Sequence, residues 1–148
     1  MKTLRWNITA MLLVVFTATI WSGCSDDKDV IIDGLPLPEY RIYKDDVPVS
    51  DTIRGFYSDC VIGIPAEGGT YRIKFLPGGK WFESYEIVQP NYRGLLRVVT
   101  DGSNPPYANY DVTYASNGTG ASRLMTIKCY GYKHKGVLFV SAYQPAAH

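Results

Sequence analysis

Apolar and polar positions follow two different rules along this chain. Near the start, Ile8 to Ile20 form an apolar run broken only by Thr9, Thr17 and Thr19, behind the positive residues Lys2 and Arg5. A bilayer span takes roughly 20 apolar residues, so this run reads as the apolar region of a removable secretory signal. From about Cys60 the pattern alternates with period two. Thr70 to Phe75 puts Tyr71, Ile73 and Phe75 on one face and Thr70, Arg72 and Lys74 on the other, the signature of a half-buried strand. Six further segments read as strands: Cys60 to Ile64, Trp81 to Val88, Leu95 to Thr100, Tyr107 to Ala115, Arg123 to Tyr130 and Val137 to Gln144. Turn residues separate them, among them Pro65 to Gly69, Pro77 to Gly79, Asn117 to Gly120 and Gly131 to Gly136, and no helical pattern of useful length intervenes. About seven short strands with frequent turns predict an all-β fold, an immunoglobulin-like β-sandwich. Tyr71, Ile73, Phe75, Tyr110, Tyr114 and Ile127 are expected in its core, with Trp81 between the sheets. Residues 30–58 carry Pro36, Pro38, Pro48 and only short apolar runs, and suggest a tether with room for one irregular strand. The expected organisation is a signal peptide over 1–23, an acidic anchor and tether over 24–58, and the sandwich over 59–148.

After the apolar run, Trp21-Ser22-Gly23-Cys24 places small residues at the two positions before a cysteine. This resembles the lipobox of bacterial lipoproteins, with Trp21 standing where an aliphatic residue is usual. In that reading the chain is cut before Cys24, whose sulfur takes a diacylglycerol and whose amine takes a further acyl chain such as palmitate. Several acyl chains hold a protein on a membrane where one would not. Ser25-Asp26-Asp27-Lys28-Asp29 follows at once. As composition it is a solvated tether; it also resembles the acidic export tag that sends lipoproteins of Bacteroidota to the outer face of the outer membrane. The expected location is therefore the outer membrane, lipid-anchored and facing the exterior.

Removing 23 of the 148 residues leaves 125, enough for one domain with a real core. Of the 15 basic residues 13 remain without Lys2 and Arg5, against 14 acidic ones. That balance sets nucleic acid aside as a partner, since its binding shows as a basic excess or stripe.

Catalytic chemistry needs a nucleophile with a base, a paired set of carboxylates, or a metal. His134 lies in the turn Tyr132-Lys133-His134-Lys135, and Glu83, Glu86, Asp101 and Asp111 fall on separate strands and turns. Asp101-Gly102-Ser103-Asn104 reads as an Asp-Gly turn rather than a calcium loop. With Cys24 lipidated, Cys60 and Cys129 remain, either as one disulfide or as two buried thiols. No metal or cofactor is implied. The candidate binding chemistry lies in the aromatic residues, because aromatic faces with polar groups at the rim suit sugar rings. Tyr92, Tyr107 and Tyr132 fall in loops and are the candidate glycan contacts.

Ala66-Glu67-Gly68-Gly69, Trp81 after the next strand, Asn117 before Ser122-Arg123, and a last strand closing on Gln144 together resemble a BACON domain, the Bacteroidetes-associated carbohydrate-binding often N-terminal domain. The resemblance covers about residues 58–146 and lacks the family's second tryptophan, since Trp81 is the only one after the anchor. It implies an immunoglobulin-like accessory module of surface glycan-handling proteins, with carbohydrate or mucin as ligand. The alternative is a structural or adhesive spacer, or a partner subunit of another outer-membrane protein. Asp51-Thr52-Ile53 resembles the acidic-hydroxyl-aliphatic site at which such bacteria attach O-glycans, which makes Thr52 the candidate acceptor.

Cys24 is the one residue in this reading that takes the lipid, so Cys24→Ala is expected to leave an unprocessed or soluble precursor. Membrane fractionation with a gel of the processed size checks it; a mutant that stays in the membrane at the mature size defeats the lipoprotein assignment.

Overall fold

In the computed structural model, residues 37–148 are described; Cys24, the signal segment and the acidic run lie outside them. Ten strands form two facing sheets: β1 (Glu39–Lys44), β2 (Val47–Pro48), β3 (Ile53–Arg54), β4 (Tyr57–Gly63), β5 (Gly69–Phe75), β6 (Phe82–Ile87), β7 (Leu96–Thr100), β8 (Asn109–Tyr114), β9 (Arg123–Gly131) and β10 (Val137–Gln144). One sheet runs β2-β1-β5-β8-β7 with β3 also on β1, and the other runs β4-β10-β9-β6. Lettering β1 and β5 to β10 from A to G in chain order gives A-B-E-D in the first sheet and G-F-C in the second, the immunoglobulin arrangement.

The seven strands expected from alternation correspond to β4 to β10. The other three lie in the segment expected to be a tether, which is thereby corrected: the sandwich begins at Leu37. In β1, Tyr40 and Ile42 alternate with Arg41 and Tyr43, and both are buried, at 1% and 0% exposure. Four residues of β1 pair with β5, Tyr40 with Phe75 through Tyr43 with Arg72. The prolines do not break this strand. Pro38 precedes it, and Pro48 sits in the edge strand β2, where a missing N–H costs no ladder bond. From β3 the chain crosses to the other sheet, and β4 runs parallel to β10 over seven register pairs.

Inward side chains of both sheets fill the core: Ile42, Ile73 and Val112 from the first, Ile62, Ile127, Leu138 and Val140 from the second. At one end Trp81 closes it. Its ring stacks on Phe75 at 5.2 Å and its Nε1 donates to the buried Tyr40 hydroxyl at 2.9 Å, which ties the two sheets. Gly131 allows that position, since a Cβ there would stand 2.7 Å from the indole.

The opposite end is closed by polar groups. Gln144 is fully buried; its Nε2 donates to the carbonyls of Pro65, Ala66 and Ala115, and its Oε1 accepts from Arg123 Nε at 2.7 Å. Arg123 Nη2 donates to Ala115 and Ser116 carbonyls. Buried Asn117 donates to the carbonyls of Ala121 and Pro145, while its Oδ1 accepts from Thr119. Gly68, at φ +80, passes so close to β8 that a Cβ would lie 2.1 Å from the Tyr114 carbonyl. The short sequence signals at 66–69, 117, 123 and 144 thus converge on one network.

Two measurements follow from this architecture. Gln144→Leu keeps the volume but removes the bonds to the Pro65, Ala66 and Ala115 carbonyls and leaves the Arg123 Nε–H without its acceptor, so chemical denaturation is expected to show a loss of about 1–3 kcal/mol. Burial also raises the Tyr40 hydroxyl to about 12 and the Tyr110, Tyr114 and Cys129 groups above their ordinary 10.0, 10.0 and 9.0. For each the folded state holds its proton to higher pH than the unfolded chain, so their stabilisation is complete below about pH 9 and is lost as pH rises. Thermal unfolding between pH 8 and 12 is expected to show a midpoint falling steeply from about pH 10; a flat profile there would mean these groups are wet.

Candidate functional site

Strand direction decides where the loop aromatics go. β6 starts at Phe82, beside Gly131 and bridged to Tyr107, and runs toward Ile87. Tyr107 and Tyr132 therefore share the Trp81 end, whereas Tyr92, in the 3-10 turn Pro90–Leu95 beyond β6, is at the other. Tyr107 is half-buried, its ring 5.9 Å from Tyr110, and Tyr132 is 36% exposed with Lys133 Nζ 5.3 Å above its ring. The three tyrosines do not share one surface.

The other expected site residues are placed as follows. Thr52 is half-buried and its Oγ1 accepts from Arg41 Nη2, so it is held against the sandwich instead of lying on a loose tether. Cys60 and Cys129 are free thiols. They lie on β4 and β9 with β10 between them, about 10 Å apart from strand spacing, beyond the reach of a disulfide. The Asp101 carboxylate accepts from the Ala108 amide and pins its own loop. His134, on an exposed turn, has its Nε2 3.8 Å from Glu83 Oε2, and among the described residues no group of three His, Cys, Asp or Glu could hold a metal ion.

A coherent surface appears elsewhere, on the outer face of β4-β10-β9-β6. The register sets out its rows: Tyr57, Val137 and Tyr130; then Asp59, Phe139, Lys128 and Glu86; then Val61, Ser141 and Thr126; then Gly63, Tyr143 and Leu124. Tyr57 is 81% exposed, Val61 68%, Tyr143 48%, Leu124 46% and Phe139 37%. Lys128 Nζ lies 4.8 Å over Tyr130 and 5.5 Å over Phe139, and Tyr130 donates to Glu86 at 3.1 Å. A sheet face bearing several solvent-facing rings and a few polar groups can stack a planar or puckered ring and hydrogen-bond its rim. The signal for this face in the sequence is β10, apolar at Leu138, Val140 and Ala142 inside and also at Val137, Phe139 and Tyr143 outside.

No family model matches the chain, and no curated protein matches it. Among solved structures, the NMR structure of a protein from Bacteroides thetaiotaomicron is similar, at 17% identity and a TM-score of 0.49, over 82% of this chain and 95% of that one. That likeness bears on neither the family nor the function.

Proposed function

We propose that this chain is a lipid-anchored outer-membrane lipoprotein facing the cell exterior, whose BACON-type sandwich is a non-catalytic module that binds carbohydrate or mucin glycans weakly. The lipid anchor rests on the sequence around Cys24. The observation that supports the binding role is that Tyr57, Phe139 and Tyr143 are spread exposed along one sheet face, since a mere spacer would gain solubility by keeping these rings inside. In this proposal the contacts lie on this sheet face and not on the loop tyrosines. Affinity is expected to be weak: an open face buries little of a sugar and leaves most hydroxyls in water, which corresponds to roughly millimolar to high micromolar binding.

A second reading, an adhesive or partner subunit, has its own support. β4 is an edge strand without lysine or proline, and Tyr57 and Val61 flank its free side, a place where a partner strand can add.

Titration of the processed chain in detergent with mucin-type and plant-type oligosaccharides separates the two. Wild type is expected to bind, and the triple variant Tyr57→Ala, Phe139→Ala, Tyr143→Ala to lose at least about tenfold in affinity with its circular dichroism unchanged. Absence of glycan binding by wild type, or equal binding by the folded variant, favours the adhesive reading.

A further inference from the structure

The outer face of the other sheet has a different character. Register aligns Tyr43 on β1, Arg72 on β5 and Asp111 on β8 in one row. Thr70 and Thr113 pair in the row on one side, and Arg41, Lys74 and Asn109 form the row on the other. The Arg72 guanidinium grips the Asp111 carboxylate with two bonds, Nε to Oδ1 at 2.8 Å and Nη2 to Oδ2 at 3.0 Å. Over this row stands the turn of the β1–β2 hairpin, Asp45-Asp46, whose left-handed φ values of 50 and 64 curl the chain back. The result is a cleft of about 240 Å³ bounded by Tyr43, Asp45, Asp46, Thr70, Arg72 and Asp111, which continues past Lys74 and Asn109.

We infer that this cleft is a second binding site, for a single neutral polyhydroxylated ring, recognised by hydrogen bonds at its hydroxyls with Tyr43 as its apolar wall. Three features select that chemistry. First, the charges nearly cancel: Asp45, Asp46 and Asp111 face Arg72 and Lys74, so neither an anion nor a cation finds a site of one sign. Second, donors and acceptors are interleaved. A guanidinium has five N–H groups and a carboxylate about four acceptor positions; the Arg72–Asp111 fork uses two of each and leaves the remainder free for vicinal hydroxyls, each of which donates and accepts. Third, the fork is preformed, so little side-chain order must be gained on binding. The size agrees, because drug-sized ligands occupy upward of about 300 Å³ and this space suits one ring. The site lies on the sheet opposite to the aromatic face, and its existence does not depend on binding at that face.

The test is an amide-shift titration of the isotope-labelled processed chain in detergent micelles. The probes are the methyl glycosides of galactose, glucose, mannose and N-acetylglucosamine, with glucosamine and glucuronate as charged counterparts. At least one neutral glycoside is expected to shift the amides of Tyr43, Thr70, Arg72 and Asp111 with millimolar affinity. Asp111→Asn, which loosens the fork, and Asp46→Asn, which leaves it intact, are each expected to weaken that binding about tenfold, while Phe139→Ala with Tyr143→Ala leaves it unchanged. The inference is overturned if no neutral glycoside shifts these amides, if the shifts map to the aromatic face, or if the charged sugars alone produce them. Loss of glycan binding at the aromatic face with these shifts intact would count against the preceding proposal and leave this site standing.

Discussion

The side-chain amide of Gln144 holds the rest of the structure in register. It is buried with no exposure, at the last position of β10, and binds carbonyls of the β4–β5 turn and of the segment after β8. An amide placed there without partners would cost several kcal/mol; placed with them, it rejects every arrangement in which those two turns do not meet it. A one-residue slip of β10 against β9 would send Gln144 to solvent and Tyr143 inward, and would reverse Leu138, Val140 and Ala142 at the same time. Arg123 and Asn117 extend the constraint to the β8–β9 connection, so strands from both sheets are fixed at one end by polar groups and at the other by Trp81 on Tyr40.

With both ends closed, the two outer faces are the surfaces left open, and they differ because their strands differ. β5 and β8 alternate strictly, apolar or aromatic inside and polar outside, which yields the Arg72–Asp111 ladder and the paired threonines Thr70 and Thr113. β10, flanked on both sides by β4 and β9, is largely apolar on its two faces, with Ser141 outside and Gln144 inside as the exceptions. One face of the protein is thus suited to hydrogen bonding and the other to ring stacking, on a scaffold whose core is indifferent to both.

Much of this was legible from alternation. Tyr71, Ile73, Phe75 and Ile127 were expected inside and are buried, and each of the seven expected segments is a strand. β1 was hidden by its neighbours: Glu39 to Lys44 alternates as well as β5 does, yet Pro36, Pro38 and Pro48 around it gave the stretch the texture of a linker. Its role as the strand beside β5 is set by pairing across about thirty residues, which local pattern does not reveal. The candidate site was less legible for a similar reason. Tyr92 and Tyr107 occupy opposite ends because of strand direction, whereas Tyr57 joins the face that carries Phe139 and Tyr143 only through the parallel pairing of β4 with β10. Parallel register between segments about eighty residues apart leaves no mark on either segment alone.

An exposed aromatic face beside a free edge strand carries a hazard of its own, since such edges invite pairing between copies. Here the centre of the face is occupied by Lys128 and Glu86 with Asp59 in the same row, and Lys128 leans over Tyr130 and Phe139. Burying that row under a flat apolar partner would desolvate an ammonium and two carboxylates at a cost of several kcal/mol each, whereas a hydroxylated ring can stack on Phe139 and leave the charges hydrogen-bonded at its rim. The same row would thus disfavour pairing between copies while leaving room for the polar, ring-shaped ligand proposed above, and under that proposal the exposed rings are what such a ligand stacks on.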